Sequence, residues 1–245
     1  MADYDELYDI AIKLVKEAGA LIRERTSRPK DVELKSCDID LVTETDQQIE
    51  KLFINGITSR FPDHKFIGEE STASGVKVEL TDSPTWIIDP VDGTMNFVHG
   101  FPHSSISVAL WDKKVPRIGL VYNPVLEQLF TAQKDKGAFL NGEPIHVSGE
   151  KGVRDPEKVK NVRDNLTRTL GSAALNMCMV ASGAADVNFE FGIHAWDIAA
   201  GDIIVREAGG VCIDPKPFDL LSRRVLCASY LNYIYENEMV DELTF

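Results

Sequence analysis

The sequence has few cysteines and a shortage of positive charge. Only four of its 245 residues are cysteine, and Cys37, Cys178, Cys212 and Cys227 form no C-x-x-C pair. That spacing excludes a zinc knuckle and a dithiol redox motif. Cys178 and Cys212 sit in apolar surroundings and read as buried thiols. Lysine and arginine total 26 against 39 aspartates and glutamates, a formal net charge of −13. An acidic field repels phosphate backbones, so nucleic acid is not an expected partner. No apolar run approaches the roughly 20 residues that span a bilayer. Met1-Ala2-Asp3-Tyr4-Asp5 has neither a basic region nor an apolar stretch, so no signal peptide is expected. Together these absences point to a reducing, cytoplasmic setting.

What remains is ordinary globular composition, 44% hydrophobic and 27% charged. The length suits one large domain or two small ones that share a core. Residues 6 to 25 carry Leu7, Ile10, Ala11, Leu14, Val15, Ala18, Leu21 and Ile22 on one helical face. Residues 46 to 60 predict a second helix, with Thr45 and Gln48 as a capping box and Asp46 in the first turn. Strand signals follow at 85–88, 105–110, 118–122 and 129–132, and Asn141-Gly142 reads as a tight turn. This middle region predicts a largely antiparallel sheet. Residues 156 to 168 predict a polar helix. Ser172 caps a helix through Ser182, 185–191 alternates as a strand, 197–208 reads as a helix, and 225–229 as a last strand. A boundary near residue 150 divides the chain into halves 1–150 and 151–245, packed as one continuous unit.

The chemistry concentrates in Trp86 to Phe97, W-I-I-D-P-V-D-G-T-M-N-F. An apolar strand delivers Asp89, Pro90 fixes a turn, Asp92 follows three residues on, and Gly93 permits a sharp change of direction. Two carboxylates then meet backbone N–H groups, the one suited to a hard divalent cation and the other to phosphate oxygens. Read alone, D-P-x-D-G is also a common turn. Glu69 follows the short strand signal Phe66-Ile67 and is a further oxygen ligand or an ordinary exposed glutamate. Asp197, in His194-Ala195-Trp196-Asp197, is a simple helix N-cap or a carboxylate aimed into the same cleft. His194 reads as structural, because nitrogen suits zinc better than magnesium. Clustered carboxylates holding metal would also reconcile an acidic chain with a phosphate ester.

Taken together, Gly68-Glu69-Glu70-Ser71, Trp86 to Thr94 and Trp196-Asp197-Ile198-Ala199-Ala200-Gly201 resemble the signature segments of the inositol monophosphatase family, in the family's order. The resemblance runs from about residue 5 to about residue 230. It implies a five-layer α/β/α/β/α sandwich, usually a homodimer. It also implies magnesium dependence with two or three ions per subunit, lithium inhibition, and hydrolysis of inositol monophosphates. By position, Glu69, Asp89 and the carbonyl of Val91 hold a first Mg2+, and Asp89, Asp92 and Asp197 a second. Asp46 and Thr94 position the attacking water, with Glu69 beside them. Backbone groups from Val91 through Asp92 and Gly93 to Thr94 cradle the phosphate. Glu190 accepts hydrogen bonds from inositol hydroxyls, and Gly171, Ser172 and Ala173 line the same side. Lys35 falls where the family has a loop lysine near a weaker metal site.

The second half departs from that pattern. A strand is expected after Ser148 and another before Gly171, and Gly149 to Arg154 and Leu166 to Leu170 leave little room for them. The loop Asp214 to Phe218 is also short. Met95 and Ala195 replace the family's common threonine and cysteine. Three readings stay open: an active phosphatase, a catalytically impaired short form that binds metal or dimerises, and a sugar or nucleotide phosphatase with the same metal chemistry.

Overall fold

The structure is a computed structural model that describes residues 3–26, 32–34, 41–149, 169–213, 220–221 and 224–229. The expected helix over 156–168, Lys35, Cys37, the loop 214–218 and most of the shortened segment lie outside the described residues.

The first layer is a helix pair. Helix α1, Tyr4–Thr26, buries Leu7, Ala11, Leu14, Val15, Ala18, Gly19 and Ile22, the face its periodicity predicts. Asp3 accepts the Asp5 and Glu6 N–H groups and caps it. A two-stranded ribbon follows, β1 Val32–Leu34 antiparallel to β2 Leu41–Thr43. Helix α2, Glu44–Thr58, buries Ile49, Phe53 and Ile57. It starts at Glu44, so Thr45 lies inside its first turn and the expected capping box is not its entry.

The second layer is a seven-stranded sheet in simple sequence order. It runs β3 Lys65–Gly68, β4 Thr85–Asp92, β5 Ser105–Asp112, β6 Val115–Asn123, β7 Gln128–Gln133, β8 Gly137–Leu140 and β9 Glu143–Ile145. β3 pairs with β4 in parallel, and all other pairings are antiparallel. The parallel step needs a crossover, which includes the short helix α3, Glu69–Ala73. Asn141 and Gly142 both take positive φ, 52° and 88°, and close the β8–β9 hairpin as their dipeptide predicts.

Alternation decides what each sheet face meets. Trp86 and Ile88, Ile106, Val108 and Leu110, and Ile118 and Leu120 pack against α1 and α2. Ile87, Ala109, Trp111, Val121, Phe130 and Ala132 face the other way, onto a third layer. That layer is α5, Ala173–Ala181, and α6, Ala195–Glu207. Ten of the thirteen residues of α6 are buried, which suits a helix enclosed on both sides. Burying each Ile or Val contributes about 1.5–3 kcal/mol. The fourth layer is a three-stranded antiparallel sheet ordered β10 Val187–Phe191, β12 Arg224–Ala228, β11 Val211–Ile213. Its Val225, Cys227 and Cys212 join the same core as α5, α6 and the large sheet. Leu226 and Ala228 form a separate small cluster with Val187, Val211 and Ile213.

Candidate metal centre

β4 is buried along all eight residues and carries Asp89 and Asp92. In a regular strand, residues three apart point to opposite faces. Here Asp89 pairs with Ser107 and Asp92 with Ser105, so the register gains a residue between them. Pro90, which donates no ladder hydrogen bond, sits inside this bulge. The extra residue turns Asp92 to the face of Asp89. Both then lie where α6 begins, at Asp197.

Ligand oxygens of Asp89, Asp92 and Asp197 lie within 4.8 Å of one another. Asp89 Oδ1 accepts the Val91 N–H at 3.0 Å. Asp92 accepts the Ser172 hydroxyl, the Ala173 N–H at 3.2 Å and the Ala174 N–H at 2.9 Å. Asp197 accepts the His194 N–H at 2.7 Å, so it is the third residue of α6 and His194 the N-cap. The simple N-cap reading of Asp197 is therefore corrected: its carboxylate folds back over the helix entry. His194 stacks on Trp196 with ring centroids 4.6 Å apart, which fits a structural role.

Three like charges under burial are costly, and the carboxyl groups register it. Burial raises Asp89 well above the usual carboxylate range, and the charges of Glu69, Asp92, Asp197 and Asp46 push it further. Asp197 is pushed up to about 8, first by burial and then by Asp92, against the pull of the His194 N–H. Asp92 is pushed up to about 6 by burial, held down by Ser172, Ala174 and Ala173, and raised again by Glu190. Among the described residues no lysine or arginine forms an ion pair with these three aspartates. An all-oxygen donor set with surplus negative charge fits a hard divalent cation, whose charge would offset the repulsion.

The remaining expected site residues gather around this cluster. Asp46, buried in the first turn of α2, and Glu69, the first residue of α3, act on Asp89 through their charge. Thr94 opens the short helix α4, Thr94–His99, and its hydroxyl donates to the Val91 carbonyl at 3.0 Å. Gly93 has φ 86°, and a Cβ there would fall 2.9 Å from the Gly171 carbonyl and 3.0 Å from that of His103. Only glycine fits that turn. Ser172 is the N-cap of α5, and its Oγ accepts the Leu175 N–H at 3.3 Å. Glu190 Oε1 accepts from Asn176 Nδ2 at 3.0 Å.

Two residues near the cluster carry no sequence signal of their own. Asn96 Nδ2 donates to the carbonyls of His103 and Leu170, both at 2.7 Å, and ties the second half to the Gly93 turn. Glu50, inside α2, is a buried carboxylate that accepts from α3. Both act on partners that sequence spacing does not place beside them.

A layered α/β chain that gathers buried carboxylates at a strand bulge, beside a glycine turn and several helix starts, has the class of site that could hold a divalent metal ion. The Inositol monophosphatase family model matches residues 3–243, and the chain belongs to that family. It is 45% identical to inositol monophosphatase 1 of Bos taurus, over 94% of this chain and 92% of that protein. The match runs over 254 positions, more than the chain's 245 residues, so the relative holds residues that this chain lacks. Among solved structures, an IMPase from Thermotoga maritima superposes with a TM-score of 0.82 at 35% identity, covering 98% of both chains. The extragenic suppressor protein suhB of Bartonella henselae gives 0.84 at 27% identity, covering 97% of this chain and 99% of that one.

Proposed function

We propose that the chain hydrolyses inositol monophosphates with magnesium and water, releasing inositol and phosphate. The observation that supports this most is the junction at Asp92. Ser172, Ala173 and Ala174 reach it from the second half, so the shortened segment leaves the substrate side attached to the carboxylates. That favours an active enzyme over an impaired short form.

Asp89, Asp92 and Asp197 would hold one Mg2+, and Glu69, Asp89 and the Val91 carbonyl another. Magnesium bound there supplies charge neutralisation of the phosphate ester and a more acidic water. Asp46 and Thr94 hold that water by hydrogen bonds and set its line of approach. Backbone N–H groups from Val91 to Thr94 receive phosphate oxygens. Glu190 accepts from paired hydroxyls of the substrate, and its negative charge disfavours a second phosphate. Gly171, Ser172 and Ala173 line the same side as Glu190. The ester oxygen departs as an alkoxide and must gain a proton. Asp197, in the first turn of α6, would orient the water that gives it.

The lesser parts of this reading are a homodimer, lithium sensitivity, a cytoplasmic setting, and the halves 1–150 and 151–245 acting as one unit. Among the described residues no helix is long and apolar enough to cross a membrane. Phosphate release from inositol 1-phosphate is the direct test. It should require Mg2+ and stop with EDTA. A folded sample that releases phosphate from no small ester at any magnesium concentration overturns the proposal.

A further inference from the structure

Glu50 is buried, and none of the chemistry above uses it. It lies one turn after Asp46 on α2, so the two side chains leave the same helix face. Its oxygens are taken by another element. Oε2 accepts the Glu70 N–H at 2.8 Å, and Oε1 accepts the Ser71 N–H at 2.9 Å and the Ser71 hydroxyl. Those N–H groups form the first turn of α3. The N-cap of α3 is Gly68, which has no side-chain oxygen to offer. A Cβ at position 68 would overlap the Glu50 carboxyl group. The segment Gly68-Glu69-Glu70-Ser71 therefore does two things. Glu69 lends its charge to the aspartate cluster, and the residues around it grip Glu50.

This geometry closes two other uses of the carboxylate. A metal ligand needs lone pairs aimed at the cluster, and these point at the α3 backbone. A charge partner needs a cation, and among the described residues no lysine or arginine forms an ion pair with Glu50. A five-residue helix has little stability of its own, so an outside cap decides where its first residue sits. That first residue is Glu69.

The geometry points to Glu50 as a positioning residue that fixes Glu69 and thereby sets how tightly the site holds divalent metal. The inference rests on the proposed role of Glu69 as a metal ligand. Groups that hold a ligand in place change metal affinity about 10–100-fold when removed.

The test is manganese(II) binding by the full chain, read from the EPR signal of the free ion. It is paired with the magnesium dependence of phosphate release and with melting in EDTA. Glu69→Gln should weaken binding. Glu50→Gln should also weaken it about 10–100-fold and move the magnesium midpoint by a similar factor. Its kcat at saturating magnesium should stay near the parent's, while its metal-free Tm should fall, because a buried amide replaces a carboxylate that accepts from α3. Ser71→Ala keeps two backbone donors and should weaken binding about threefold. Should Glu69→Gln bind poorly while Glu50→Gln stays within about twofold of the parent, the positioning role is overturned. Should Glu69→Gln itself bind like the parent, the ligand reading of Glu69 falls and takes this one with it. Where Glu50→Gln fails to fold, Ser71→Ala decides, and unchanged affinity overturns the role.

Discussion

The two halves of the molecule treat their share of the cluster differently. The first half brings Asp46, Glu69 and Asp89 together mainly as like charges. Asp89 lies in a strand and accepts one backbone N–H, while burial first and then four carboxylates raise its pKa. The second half brings donors. Its Ser172, Ala173 and Ala174 meet Asp92, and its own Asp197 folds back on the His194 N–H. So Asp89 stores electrostatic cost that a cation would relieve. Asp92, three residues away, is the joint that fastens one half to the other. A helix start stabilises a carboxylate, and a strand bulge merely presents one.

Substitution of the two aspartates by asparagine breaks this comparison most directly. Asp89→Asn keeps the acceptor for Val91 N–H and removes a buried charge. Phosphate release should fall at least about a hundredfold, since charge stabilisation at the reacting centre is lost. Its Tm in EDTA should nevertheless rise, by about 2–4 °C for a gain near 1 kcal/mol in a chain of this size. Asp92→Asn should lose activity too, but its metal-free Tm should fall. Each hydrogen bond to a charged group is worth about 1.5–3 kcal/mol, and this residue accepts three from the second half and a longer one from Ser105 at 3.4 Å. Thermal melting of both proteins in EDTA reads the sign. Two shifts in the same direction would show that the halves do not differ in this way.

A pH series sharpens the same point without mutation. Burial and the neighbouring Asp92 push Asp197 up to about 8 in the folded chain, against an ordinary 3.8. Between those values the folded state holds a proton that the unfolded state has released. That contribution to stability is therefore present at low pH and fades as pH climbs toward the folded value. Below about pH 6.5, His64 and His103 work the other way, because burial lowers both. The window to read is pH 7 to 8. Metal-free Tm should fall across it, and saturating Mg2+ should remove the fall, since metal takes the place of the proton. A metal-free Tm that climbs from pH 7 to 8 contradicts the buried, uncompensated state of Asp197.

Much of the frame was legible from local pattern. α1 and α2 follow a 3.6-residue rhythm, the middle strands alternate, and Ser172 and Gly183 bracket α5 as their chemistry requires. Asp89, Asp92, Asp197 and Glu69 were legible as oxygen donors because three short segments each end a strand or open a helix. The bulge was not. Asp89 and Asp92 look like opposite faces of a strand until the Ser105 and Ser107 partners are known. The strand was also expected to stop near Asp89, and it runs on to Asp92. Glu50 and Asn96 were silent for the same reason. A glutamate in a helix and an asparagine after a turn look solvated until a distant backbone meets them. β1, β2 and β11 have three residues each, too few for alternation to register.

Ser172 gives the smallest expected effect and the finest reading of the junction. Its hydroxyl caps α5 through the Leu175 N–H and donates to Asp92. Ser172→Ala removes these bonds and the 3.3 Å hydroxyl contact with Ser105, and keeps the Ala173 and Ala174 donors. Loss of such a cap costs about 1 kcal/mol, or about 2–4 °C in Tm. If the hydroxyl only ends a helix, the cost appears in Tm and phosphate release at saturating substrate is unchanged. If Asp92 is the joint, its carboxylate also shifts, and the magnesium midpoint rises about threefold alongside the Tm loss. Ser172→Asp separates the two. Aspartate caps a helix as well as serine does, but it sets a second negative charge against Asp92. It should hold the cap and still weaken magnesium more than alanine does. Equal midpoints for the two variants would make Ser172 a cap and nothing more.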